Sequence, residues 1–171
     1  LKTKGSALNF MIAAPDGNLW FSEIGKGGIG RITTAGVVTE YPLTKAGHDP
    51  EMLIVGPDNN LWFNEPTANL IGRITPDGKI HEFALPTASS RPDDIIAGPD
   101  GNIWFPEADG DKIGRITPGG SITEFTVPTP GTEPAFIVAG PDGNLWFSEQ
   151  GGNKIGRITP AGAFSEFALA T

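Results

Sequence analysis

Tryptophan recurs in this chain at one fixed interval: Trp20, Trp62, Trp104 and Trp146 each stand 42 residues apart. A strict period of this length marks a chain built from copies of one supersecondary unit, none of which can bury its apolar surface alone. The same interval carries Pro15, Pro57, Pro99 and Pro141; Glu23, Glu65, Glu107 and Glu149; Arg31, Arg73, Arg115 and Arg157; and Glu40, Glu82, Glu124 and Glu166. Thirteen positions of the unit are identical in all four copies, and no copy gains or loses a residue. Loops of natural repeats tolerate insertions at little cost, so this uniformity points to recent duplication or deliberate engineering.

Within the unit, turn residues separate four short apolar-rich runs. The fourth copy shows this in Ala135-Phe-Ile-Val-Ala139, Asn144-Leu-Trp-Phe-Ser-Glu149, Lys154-Ile-Gly-Arg-Ile-Thr159 and Ala163-Phe-Ser-Glu-Phe-Ala-Leu169. Gly140-Pro141-Asp142-Gly143 sets proline where φ near −65° is wanted and glycine where φ must be positive, so it should turn the first run onto the second. Pro160-Ala161-Gly162 does the same between the third and fourth. Ile122 to Val127 alternates in part, as an edge strand with one wet face does, whereas Leu145-Trp146-Phe147 is apolar on both faces. An inner strand wedged between neighbouring sheets has that requirement. The expected fold class is therefore all-β: a β-propeller of four-stranded antiparallel blades, four per chain, in a single domain over 1–171 with blades near 8–47, 48–89, 90–131 and 132–171. No segment carries a helical period.

The end blades raise a question of closure, because a sheet apolar on both faces leaves one face uncovered at each end of a stack. A closed four-bladed ring would need a quarter turn per blade and bulkier wedges than these glycine-rich units offer. The preferred expectation is a homodimer, two chains joined head to tail into an eight-bladed ring. A four-bladed ring, or a longer protein cut to four of its blades, are the alternatives.

Composition narrows function by exclusion. Twelve Lys and Arg against twenty Asp and Glu give a net charge of −8, with no basic stretch to attract nucleic acid or an anionic membrane. No apolar run approaches the ~20 residues of a membrane span, and Leu1-Lys2-Thr3-Lys4-Gly5 precedes no signal-like segment, so a soluble protein is expected, cytoplasmic or secreted after removal of a leader. With no cysteine, disulfides, thiolate metal sites and a cysteine nucleophile are ruled out.

The string Gly-Pro-Asp-Gly-Asn-Leu-Trp-Phe-Ser-Glu at 140–149, followed by Asn-Lys-Ile-Gly-Arg-Ile-Thr-Pro at 153–160 and Glu-Phe at 166–167, resembles the repeat of the virginiamycin B lyases, also called streptogramin lyases. The resemblance covers all four units. It implies a seven-bladed propeller whose magnesium-assisted elimination opens the ester link of a cyclic depsipeptide antibiotic. It also implies an acid/base histidine in a Pro-His-Gly-Ile segment and a metal-holding glutamate at the end of Trp-Phe-Thr-Glu. A hard cation with oxygen ligands suits the enolate-like charge of such a reaction, and histidine suits the proton transfer. Here the glutamate slot holds Glu23, Glu65, Glu107 and Glu149. The histidine slot holds Asn9, Glu51, Asp93 and Ala135, and no histidine.

Several residues remain candidates on their own chemistry. The Trp-Phe-x-Glu carboxylates either bond a loop amide or a repeat arginine, or face a central channel and hold a hard cation such as magnesium, with Glu51 and Asp93 adding oxygen ligands. His48, in Gly47-His48-Asp49-Pro50, lies near the mouth of the second unit and is either a solvated loop residue or a substitute base. His81, on the outer strand, is expected to face water. The arginines are expected to pair electrostatically between blades and the tryptophans to be core wedges; a sugar-stacking platform would need the rings exposed. Ser22 and Ser148 lack a nearby histidine to activate them. The expected function is a non-catalytic scaffold or a ring binding a small molecule or cyclic peptide, completed by self-association. The alternative is a magnesium-dependent lyase.

Overall fold

A computed structural model describes residues 5–25, 27–43 and 47–170. Sixteen strands form four four-stranded antiparallel sheets, each in simple meander order, so every 42-residue unit is one blade. Blade 1 comprises β1 (Ala7–Ala13), β2 (Leu19–Ile24), β3 (Gly28–Ile32) and β4 (Val38–Pro42). Blade 2 comprises β5 (Leu53–Val55), β6 (Leu61–Glu65), β7 (Leu70–Ile74) and β8 (Ile80–Ala84). Blade 3 comprises β9 (Ile96–Ala97), β10 (Ile103–Glu107), β11 (Lys112–Ile116) and β12 (Ile122–Thr126), with a short 3₁₀ turn at Ala108–Gly110. Blade 4 comprises β13 (Pro134–Ala139), β14 (Leu145–Glu149), β15 (Lys154–Ile158) and β16 (Phe164–Ala168). The chain divides into two compact units, Leu1–Ala84 with blades 1 and 2, and Leu85–Thr171 with blades 3 and 4.

The invariant residues explain why each copy folds alike. The aspartate of the Pro-Asp turn accepts the indole N–H of its own blade, as from Trp62 Nε1 to Asp58 Oδ1 at 3.0 Å and Trp104 Nε1 to Asp100 Oδ1 at 2.9 Å. It also binds the following asparagine, so one carboxylate closes the hairpin and satisfies a buried donor. Trp62 then stacks on Phe83 at 5.7 Å, and Arg73 lies 5.4 Å from the indole centroid. Equivalent stacks join Trp20 to Tyr41, Trp104 to Phe125 and Trp146 to Phe167. On the opposite face, Phe63 lies across Gly72, where a Cβ would meet the ring at 2.1 Å; only glycine admits it.

These stacks alter the expected role of the arginines. The register pairs Trp20 with Arg31 and Trp62 with Arg73, which puts each arginine on the tryptophan face. The glutamate three residues beyond the tryptophan points to the other face, so arginine and glutamate of one blade are separated by the sheet. The guanidinium is instead held by cation–π contact and approaches the turn aspartate, 3.8 Å from Arg73 Nη1 to Asp58 Oδ2. The contact between blades is a hydrogen bond rather than an ion pair: Arg31 Nη1 donates to Pro76 O at 3.2 Å, and Arg115 Nη1 to Pro160 O at 3.0 Å.

In each unit the tryptophan face of the earlier blade packs on the phenylalanine face of the later one. Trp20 and Ile29 meet Leu53, Leu61, Phe63 and Ile74 in the first unit. Trp104 and Ile113 meet Ile137, Leu145, Phe147 and Ile158 in the second. Trp20, Trp62 and Trp104 are buried, as core wedges should be, while Trp146 is half-buried.

Candidate functional site

Every blade places two glutamates on its phenylalanine face: one lies at or next to the end of the second strand (Glu23, Glu65, Glu107, Glu149) and one lies in the fourth (Glu40, Glu82, Glu124, Glu166). The second-strand set is buried, at 0 to 3% exposed. Between each pair lies one third-strand residue: Gly28, Leu70, Lys112 or Lys154.

In blades 3 and 4 that residue is the counter-ion. Lys112 Nζ stands 2.7 Å from Glu124 Oε2 and also contacts Thr87 Oγ1. Lys154 Nζ stands 3.5 Å from Glu166 Oε1 and donates to Thr129 Oγ1 at 2.9 Å. Burial pushes the Glu107 carboxyl up to about 7; Ser90 and Lys112 oppose the shift and Glu124 reinforces it. Burial likewise raises Glu149, with Glu166 beside it adding to the effect. Burial also works against ionised Glu124, but Lys112 and Thr87 outweigh it and hold that group below the usual range. In blades 3 and 4 the inner carboxyl of the pair is thus disposed to keep its proton and the outer one to lose it. In blade 1, burial raises Glu23 as well.

Blade 2 differs because β7 supplies Leu70. His48, from the loop entering the blade, takes the position over the pair, with Nδ1 3.0 Å from Glu65 Oε2 and 3.3 Å from Glu82 Oε1. Among the described residues, these three side chains form the one group of three metal-donor residues within mutual reach, their donor atoms all within 4.8 Å of one another. His48 is therefore not a solvated loop residue.

The remaining sequence candidates lie apart from this cluster. Glu51 is half-buried, and its backbone carbonyl accepts from Ser22 Oγ at 2.8 Å. Asp93 pairs with Arg91 Nη1 at 3.0 Å; burial raises its carboxyl despite that cation. Asn9 is exposed on β1 and Ala135 is buried in β13. Ser22 and Ser148 accept the amides of Phe10 and Phe136 at 3.0 and 3.1 Å, inside the irregular pairing of β1 with β2 and of β13 with β14. Their hydroxyls fasten a bulge and activate nothing. His81 is exposed on β8.

Sequence reasoning missed Glu82, Lys112 and Lys154 as site residues. Glu82 was visible as one of four invariant glutamates, but its partner lies on another strand. The lysines sat in a variable column, Gly28-Leu70-Lys112-Lys154, whose variation was the signal. A magnesium ion on Glu65, Glu107 or Glu149 does not fit this arrangement. In blades 3 and 4 an ammonium already serves the carboxylate pair, and in blade 2 the donor set includes an imidazole nitrogen, which magnesium disfavours.

Four meander sheets, two packed face to face in each unit, define the chain as a β-propeller protein. The model of the virginiamycin B lyase family matches residues 1–171, and the chain belongs to that family. A streptogramin B lyase structure is 42% identical, with a TM-score of 0.92 over all of this chain and 57% of its own. Virginiamycin B lyase from Staphylococcus aureus is 44% identical, with a TM-score of 0.93 and 58% of its own length covered. A catalytically inactive histidine-to-alanine form of that enzyme, crystallised with quinupristin, is 45% identical, with a TM-score of 0.92 and 58% covered. The chain thus spans less than two thirds of the length of these relatives. No match was found among curated proteins.

Proposed function

We propose that this four-blade chain is a non-catalytic scaffold or ligand-binding module of its family that completes its ring by self-association. The observation carrying the first half is the histidine slot: Asn9, Glu51, Asp93 and Ala135 occupy it, and none of them can cycle a proton as imidazole does near neutral pH. The inner glutamates support the same reading, since they are enclosed within their own blades against a second carboxylate.

The end faces support the second half. Blade 4 presents its tryptophan face, with Phe136 62% and Val138 60% exposed around Trp146 and Phe167. Blade 1 presents the phenylalanine face, with Leu8, Met11 and Leu19 exposed. These are the same two kinds of surface that pack together inside each unit, so the end of one copy is complementary to the start of another. The bound molecule of such a ring would be a small molecule or cyclic peptide.

The opposing reading, a magnesium-dependent C–O lyase that linearises type B streptogramins, draws on the 42 to 45% identity to the enzymes above. Incubation of the purified chain with a type B streptogramin and magnesium, followed by mass spectrometry, separates the two. Intact cyclic antibiotic is the expected result; a linear product at enzyme-dependent rate would establish the lyase instead.

A further inference from the structure

Inside each unit, polar side chains of the earlier blade reach across to the backbone of the later one. In the first unit Ser22 Oγ donates to Glu51 O at 2.8 Å and Arg31 Nη1 to Pro76 O at 3.2 Å. In the second, Arg115 Nη1 repeats the bond to Pro160 O at 3.0 Å. There the Asp111 carboxylate also accepts the amides of Gly131, Thr132 and Glu133 at 2.7, 2.8 and 3.2 Å. Apolar contact is non-directional, so these bonds are what fix the register of one sheet on the next.

Blade 4 carries the same positions, but open. Ser148 is the counterpart of Ser22, Asn153 of Asp111, and Arg157 of Arg31 and Arg115. Ser22 is fully buried, whereas Ser148 is half-buried and lines an apolar groove with Phe136, Val138, Trp146 and Ile155. Arg157 Nη2 turns back to Ser165 of its own blade at 3.0 Å, and Asn153 is exposed. The start of the chain holds the complements. By the 42-residue interval, Asn9 takes the place of Glu51, Thr34 that of Pro76 and Pro160, and Gly5, Ser6 and Ala7 that of Gly131, Thr132 and Glu133. Gly5, Ala7, Asn9 and Thr34 are exposed. So are Met11 and Leu19, whose counterparts Leu53 and Leu61 are buried against Trp20.

We infer that two copies of this chain join head to tail in the register that its own blades use, with blade 1 of one copy on the tryptophan face of blade 4 of the other. Met11 and Leu19 of the second copy close the groove at Trp146. Ser148 and Arg157 donate to the second copy's carbonyls at Asn9 and Thr34, and the Asn153 side chain accepts from its amides at Gly5, Ser6 and Ala7. The inference rests on the self-association proposed above and adds the orientation, head to tail rather than like face on like face, and the side chains that set it. Asn153 is the weak member of the set, because a neutral amide oxygen stands where Asp111 offers a carboxylate, and charge-assisted bonds are roughly twice as strong.

Sedimentation equilibrium of the 171-residue chain over a dilution series reads the association constant. Asn153→Asp should raise that constant about fivefold or more above Ala161→Asp, which adds the same charge to a turn where blade 2 already carries Asp77. Met11→Asp and Val138→Asp should each sediment as a monomer with unchanged circular dichroism. An equimolar mixture of the two, at concentrations up to millimolar, should recover a two-chain species, because each retains the face that the other has lost. A parent that stays monomeric throughout removes self-association itself, and this inference with it. An associating parent whose Met11→Asp or Val138→Asp form still pairs with itself means that like faces meet, and overturns the head-to-tail contact alone. A mixture that stays monomeric does the same, as does an Asn153→Asp chain that associates no more tightly than Ala161→Asp.

Discussion

Glu107 shows how one buried side chain can set the pH response of this protein. Its carboxyl rises from 4.5 to about 7, chiefly because burial penalises the charged form. A folded-state value above the unfolded one means that the residue favours folding fully below about pH 4.5 and loses that contribution as pH rises through about 7. The carboxyls held low by hydrogen bonds, such as Asp142 at about 2 and Asp111, stay ionised above pH 5 and do not confuse that window. Urea unfolding should therefore show lower stability at pH 8 than at pH 5, with Glu107 accounting for roughly 2–3 kcal/mol at most. Glu107→Gln keeps the shape and removes the charge, so it should flatten that slope; a slope identical to the parent's would remove Glu107 as its source.

At the level of the strand, the first hairpin of blades 1, 2 and 4 depends on one side chain of the second strand. Asn64 Oδ1 accepts the Met52 amide at 2.8 Å, Ser22 accepts Phe10 and Ser148 accepts Phe136. In blade 3 the corresponding residue is Pro106, which offers no such acceptor, and β9 is only Ile96–Ala97. Asp94 instead accepts the amide of Ile95 at 2.8 Å and that of Ile137, in blade 4, at 2.9 Å. Asn64 is fully buried, so Asn64→Ala strands a donor that water cannot easily reach. It should cost about 1–3 kcal/mol in chemical unfolding, whereas Ser148→Ala, serving the exposed Phe136 amide, should cost about 1 kcal/mol or less. Equal losses at the two sites would contradict this account.

For the whole molecule, the decisive surfaces are the uncovered faces of the end blades. Phe136, Val138 and Phe167 form one apolar face and Leu8, Met11 and Leu19 the other. Patches of this kind mark association sites or aggregation hazards. Light scattering coupled to size-exclusion chromatography should return a mass near twice 17.9 kDa. Phe136→Ser combined with Val138→Asp should return the monomer with its circular dichroism unchanged. A monomeric parent would remove self-association from the proposed function.

The blades were legible in the sequence because their causes are local and repeated. Pro-Asp-Gly-Asn closes a hairpin by its own dihedral preferences, and glycine opposite phenylalanine admits a ring without reference to any distant segment. The same period made the family resemblance readable across all four units. What tertiary structure alone decided was pairing across strands and blades. The arginines were read as electrostatic partners, yet the register sets them on the tryptophan face, beyond reach of their own blade's glutamates. Glu82 and Glu65 were read as separate members of two invariant columns, and only sheet register and a loop bring both to His48. Sequence spacing fixes which face a side chain takes, but which charges meet depends on how strands lie against one another, and charge pairing acts through space rather than along the chain.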